Sequence, residues 1–257
     1  MKYHLIEIYM FFLGMCIGSF MNVCIYRIPL KQSIVSPGSR CPKCEAPIRF
    51  YDNLPVISFL WLRGKCRYCG VRISARYPMV EILSGAFAFL FFQKYGISIE
   101  GLIWYGFTTV LLLITYIDLD HQIIPDVITL PGIPIAFLAS LFSSQISWLE
   151  SVLGILIGGG SLYLVAVTYT LLMKKEGMGG GDIKLLALIG ALIGWKGVLF
   201  TIFLASMIGA VTGILVMFHQ KKNLKLAVPF GPFLSIGAIS YVFFGSELIT
   251  WYFNLLM

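Results

Sequence analysis

Two carboxylates and four thiols carry most of the reactive chemistry in this chain. Asp118 ends an apolar run and opens Tyr116–Asp126 (YIDLDHQIIPD). Asp182 closes the Gly-rich part of Lys174–Leu186 (KKEGMGGGDIKLL), directly before another apolar run. The chain has only 12 acidic residues, and acidic groups at membrane depth are costly and usually functional. Two carboxylates held close together cannot both ionise easily, so the pair keeps one proton. That is the arrangement of an aspartic peptidase. One Asp activates water as a base, while the protonated Asp polarises the scissile carbonyl and then assists the leaving amine. The Gly177–Gly181 run, with Gly179, Gly180 and Gly181 beside Asp182, lets backbone approach an extended substrate where side chains would block it. Competing peptidase chemistries lack their residues: the sequence holds no His-Glu-x-x-His and no Gly-x-Ser-x-Gly.

The thiols form two Cys-x-x-Cys knuckles, Cys41/Cys44 and Cys66/Cys69, with 21 residues between them. That pairing suits a closed tetrahedral zinc site, which is structural rather than catalytic. Disulfides are the competing reading, and a reducing cytoplasmic loop disfavours them. Cys16 and Cys24 stand alone in an apolar run and read as inert packing residues.

These groups must be positioned by membrane helices. The sequence is 58% hydrophobic and 12% charged, too apolar for a water-soluble domain. Eight apolar segments are expected, at about 5–26, 78–93, 101–117, 127–142, 151–173, 183–194, 198–218 and 233–253. The first is too long for a signal-peptide core and reads as an anchor. The sixth and seventh would greatly overshoot a core of about 30 Å as one helix, and Gly194-Trp195-Lys196-Gly197 offers a turn. The net charge of +7 does not point to nucleic acid. Ten of the 19 Lys/Arg lie between Arg27 and Arg76, and most others sit in short loops, as the positive-inside rule requires.

The basic loop therefore goes inside, with Lys174, Lys175, Lys184, Lys221, Lys222 and Lys225, while Lys2, Lys94 and Lys196 fall outside. Asp118 ends the third segment and Asp182 begins the sixth. Two crossings separate them, so both reach the cytoplasmic side. Gly154, Gly158, Gly159 and Gly160 supply small residues for close helix contacts. Each carboxylate also has a plain structural reading. Asp182 can be a helix N-cap, Asp126 after Pro125 a turn or cap residue, and Asp120 and His121 solvated loop groups. Asp118, flanked by Tyr116, Ile117 and Leu119, is the hardest to explain that way.

The chain resembles the type IV prepilin peptidases nearly end to end. The resemblance runs through Gly18–Pro29 (GSFMNVCIYRIP), the Cys knuckles, Tyr51–Pro55 (YDNLP), Gly64–Cys66 (GKC) and Arg76–Glu81 (RYPMVE). It continues through Ile117–Asp120 (IDLD), Pro125-Asp126, Glu176–Leu185 (EGMGGGDIKL) and Pro229–Pro232 (PFGP), with Met21 where the family has Leu. The resemblance implies that Asp118 and Asp182 are the catalytic aspartates, with Gly179, Gly181 and Asp182 forming the Gly-x-Gly-Asp motif. It implies pilin-like precursors with a short basic leader as substrates, commonly cut between Gly and Phe. It also implies methylation of the new N-terminus from S-adenosylmethionine, an activity associated with the Cys-bearing loop. No Gly-x-Gly-x-x-Gly fingerprint marks a cofactor site. Glu81, near the inner end of the second segment, is a candidate for reading positive charge, and the basic loop is better suited to anionic lipid than to a basic leader.

The expected fold is thus an all-α polytopic membrane protein of about eight transmembrane helices with a small zinc-ribbon-like cytoplasmic loop module. Its parts are a first helix over 1–26, a four-cysteine zinc-binding module over 27–77 and a peptidase domain over 78–257, in a bacterial cytoplasmic membrane. The expected partners are prepilin-like precursors and the bilayer, not nucleic acid. The rival readings are a peptidase without methylation, an ion-coupled transporter using the two Asp, and a catalytically silent assembly factor.

Overall fold

Apolar sequence in this chain folds into helices and almost nothing else. The computed structural model describes residues 2–174, 179–220 and 229–256. Part of the Gly-rich motif (Glu176, Gly177, Met178) and Lys175, Lys221, Lys222 and Lys225 lie outside the described residues. The helices are α1 (Lys2–Arg27), a short α2 (Ile57–Trp61), α3 (Arg76–Tyr95), α4 (Ile99–His121), α5 (Asp126–Ser140), α6 (Trp148–Met173), α7 (Gly180–Gln220) and α8 (Gly231–Leu256). Among the described residues no strand forms; two isolated antiparallel bridges, Arg40 with Pro47 and Lys65 with Arg72, are the only extended pairings.

α1, α4, α6 and α7 are long and apolar enough to cross a membrane, while α5 and the described part of α8 are apolar but shorter. The exterior fits that solvent. Phe203 and Leu102 are 69% exposed and Leu171 and Leu172 are 75% exposed, which water would penalise and lipid does not. The 41-residue α7 is two helices end to end, because Gly194 takes φ 69°, ψ 177°. A positive φ of this kind favours glycine. A straight run of that length would span about 60 Å, twice the hydrocarbon core. The sixth and seventh expected segments are therefore separate, and the break is confined to Gly194.

The chain divides into two compact units, Met1–Leu113 and Ile114–Met257, with the boundary inside α4. In the first unit α1 packs on α3. Gly18 lies so close to α3 that a Cβ there would come within 2.7 Å of the Glu81 Cα. Ser84 on α3 donates to the Gly14 carbonyl at 2.7 Å and shares a 2.9 Å hydrogen bond with the Tyr105 hydroxyl of α4. In the second unit α7 is central, packed by α5, α6 and α8. The α6–α7 approach is backbone on backbone: a Cβ on Gly154 would sit 2.7 Å from the Gly190 carbonyl carbon. Small residues permit that contact in a medium where apolar burial alone drives no association. α6 starts on a capping box made by Ser147 and Glu150.

Candidate active site

In the second unit, three chain segments converge on one carboxylate. Asp118 occupies the last turn of α4, is only 5% exposed, and accepts a 3.0 Å hydrogen bond from the Gly231 N–H at the start of α8. Asp182 lies in the first turn of α7, half-buried, and close enough for the two carboxylates to interact electrostatically. It is not the helix cap, since α7 begins at Gly180 and the Asp182 N–H bonds back to the Gly179 carbonyl at 3.3 Å. Ile124 packs beside both helix starts. A Cβ at Gly181 would sit 2.8 Å from the Ile124 Cβ, and one at Gly231 would sit 3.2 Å from its Cδ1 and 2.6 Å from Asp118 Oδ2. Gly179 and Gly180 are exposed, and a side chain at Gly180 would meet nothing within 4 Å. The carboxylate pair thus has an open backbone edge beside it.

Asp126 does more than start α5. Its carboxylate takes the Lys184 ammonium at 2.5 Å, tying the first turn of α5 to the first turn of α7. Sequence alone reads Asp126 as a turn residue and assigns no role to Gly231. Gly231 falls within the Pro229–Pro232 stretch, but a backbone N–H donor leaves no side-chain signature.

The first unit holds the thiols and Glu81. All four ligand sulfurs of Cys41, Cys44, Cys66 and Cys69 lie within 4.8 Å of one another, and all are free thiols. Cys41 Sγ and Cys69 Sγ are 3.8 Å apart. Tetrahedral zinc with Zn–S of about 2.3 Å requires S–S of about 3.8 Å, so the donor set and its spacing fit that metal. The two knuckles are built alike. Cys41 N–H bonds to the Ala46 carbonyl and Glu45 N–H to the Cys41 carbonyl; Cys66 N–H bonds to Val71 and Gly70 N–H to Cys66 in the same pattern. Backbone N–H groups of Cys44 and Lys43 aimed at Cys41 lower its pKa to about 6, favouring the thiolate that a metal takes.

Arg67, between Cys66 and Cys69, clamps Asp52 through Nε–Oδ2 (2.8 Å) and Nη2–Oδ1 (2.5 Å). Glu81 is 8% exposed, and its Oε2 accepts the Val56 N–H at 2.8 Å, with the Ser19 hydroxyl bonding to the same carboxylate. It lines a cavity of about 980 Å³ bounded by α1, α3 and the Cys-bearing loop. Cys24 is buried as expected of a packing residue, whereas Cys16 is exposed on α1.

Comparison with known proteins agrees with this division. The profile described as "Bacterial Peptidase A24 N-terminal domain" matches residues 12–95, and "Type IV leader peptidase family" matches residues 105–214. Among relatives, proteins named prepilin leader peptidase/N-methyltransferase recur. The one from Pseudomonas putida is 36% identical over 258 residues, covering 92% of this chain and 90% of its own. That from Neisseria gonorrhoeae is 37% identical, covering 87% and 85%. That from Aeromonas salmonicida (strain A449) is 32% identical, covering 96% and 94%. No solved structure matches the chain.

Proposed function

Because the chain belongs to the type IV leader peptidase family, we propose that it removes the leader from prepilin-like precursors with Asp118 and Asp182 as its catalytic pair, and then N-methylates the new terminus. The observation that carries the peptidase half is that the helix ends bearing these two carboxylates, far apart in sequence, converge around Ile124 beside the exposed Gly179-Gly180 backbone. The pair holds one proton between them. The ionised member takes a proton from water, whose oxygen attacks the scissile carbonyl carbon. The protonated member donates to the carbonyl oxygen. When the C–N bond breaks, the leaving nitrogen takes a proton from the pair, one hydroxyl proton of the diol intermediate returns to the pair and the other passes to water. The products are a carboxylate on the leader and a free amine on the mature chain. The Gly231 N–H fixes Asp118 during this cycle, and Ile124 packs against the helix starts beside it.

The site faces the cytoplasm in this reading, since both carboxylates end on the same side as the basic loop by the charge rule. The four thiols bind structural zinc, which their spacing fits. S-adenosylmethionine, when bound, would supply the methyl group to the new amine, leaving as a neutral thioether while a proton passes to water. The transporter reading finds no support among the relatives.

The test is incubation of the purified chain with a prepilin-like precursor from the same host, with and without S-adenosylmethionine, read by mass spectrometry. Loss of the leader in both samples, and a gain of one methyl on the mature product only with the donor, is the expected result. Failure to cut a precursor that its host processes would overturn the peptidase reading. Cutting without any methyl gain would leave a peptidase alone.

A further inference from the structure

From the first unit we infer that the cavity between α1, α3 and the Cys-bearing loop is the binding site for the methyl donor, with Glu81 as the counter-charge to its cationic end. The inference rests on the methyltransferase half of the proposed function and assigns that half a place.

Glu81 is the anomaly that points there. It is a carboxylate with 8% exposure, held by the Val56 N–H at 2.8 Å and by the Ser19 hydroxyl. Those bonds satisfy and orient its oxygens, yet no Lys or Arg pairs with it among the described residues. A buried carboxylate without a cation is expensive, and the chain has bound this one in place from two directions instead of removing it. A cationic ligand entering the cavity would restore the balance.

The rest of the wall narrows the ligand class. Arg40 and Arg72 line the same cavity and offer positive charge, so the site presents a fixed anion and separate cations. Phe59 and Tyr77 add aromatic surface. A volume of about 980 Å³ lies at the top of the roughly 300–1,000 Å³ range of small-molecule sites. S-adenosylmethionine matches this set: a sulfonium and an ammonium for the carboxylate, a carboxylate for the arginines, and an adenine for the rings. Cys41 and Cys66 form part of the wall, so the metal site would hold the cavity's shape.

The experiment is equilibrium binding of S-adenosylmethionine and S-adenosylhomocysteine to the purified full chain and to Glu81→Gln. Gln keeps an oxygen to accept the Val56 N–H and removes the charge, while its amide nitrogen donates to the Ser19 hydroxyl in place of accepting from it. The wild type should bind, and Glu81→Gln should weaken S-adenosylmethionine about tenfold or more. Loss for S-adenosylmethionine alone assigns Glu81 to the sulfonium, and equal loss for both ligands assigns it to the shared ammonium. Unchanged affinity overturns the inference. A second measurement does not depend on the variant's folding: ultraviolet crosslinking of labelled donor to the wild type, followed by peptide mapping. Label within residues 19–81 supports the site, and label within 114–257 overturns it. A wild type that methylates while its bound donor maps elsewhere removes this inference and spares the proposed function. A wild type that neither binds donor nor methylates removes both.

Discussion

Gly231→Ala adds one methyl group between Asp118 and Ile124. The added Cβ would stand 2.6 Å from Asp118 Oδ2 and 3.3 Å from its Cγ, where ordinary contact begins at 3.4 Å, so the carboxylate must move by about 0.8 Å. The Ile124 Cδ1, 3.2 Å from the same point, blocks relief on that side. Displacement of about 1 Å in a catalytic group costs on the order of 100-fold in rate. The expected outcome is a roughly 10- to 100-fold fall in kcat for leader cleavage, with KM little changed. The fold should survive, because Gly231 does not have a positive φ and Ala is the better helix former by about 1 kcal/mol. The assay is steady-state cleavage of a purified precursor, with Gly213→Ala as control, since a Cβ at Gly213 meets nothing within 4 Å. Wild-type cleavage by a folded Gly231→Ala protein would refute the placement of Asp118 in the reaction.

Three further outcomes are expected. Gly154→Ala should destabilise the second unit by about 1–3 kcal/mol or more, because its Cβ would run into the Gly190 carbonyl and α6 and α7 would have to part; an unchanged melting temperature in detergent contradicts that contact. Cys41→Ser, or chelation, should release zinc and impair methylation more than cleavage, and equal loss of both activities contradicts the separation of the two units. The Arg67 guanidinium holds the Asp52 carboxyl below its usual range. The folded state therefore binds that proton less tightly than the unfolded chain. Its stabilising contribution is complete above about pH 4 and is lost as pH falls through the lower folded value. Hydrogen exchange over residues 50–75 should then show Asp52→Asn less protected than wild type at about pH 7, with the difference shrinking in acid; a difference that grows in acid would reverse the sign.

The eight apolar segments are legible in the sequence because hydrophobic run length reports helices directly, and the turn expected at Gly194 follows from an overlong element. The break is narrower than expected, with Trp195–Gly197 already helical. The thiol cluster is legible because its spacing is itself a metal-ligand pattern. What sequence does not disclose are tertiary contacts that leave no local trace. Asp126 reads locally as the start of a helix, and its ion pair with Lys184 depends on how α5 meets α7. Gly231 acts through its N–H and its missing side chain. Glu81 reads as a carboxylate near a helix end, but its bonds to Val56 and Ser19 and its cavity come from the packing of α1, α3 and the loop.

The central claim is that Asp118 and Asp182 together cut the precursor. It is tested most directly by single-turnover leader cleavage with wild type, Asp118→Asn and Asp182→Asn, each verified as folded and metal-loaded. Wild type should cut, and each variant alone should be slowed by several orders of magnitude, because one amide destroys the proton sharing on which both steps depend. Cleavage at the wild-type rate by either folded variant would contradict it.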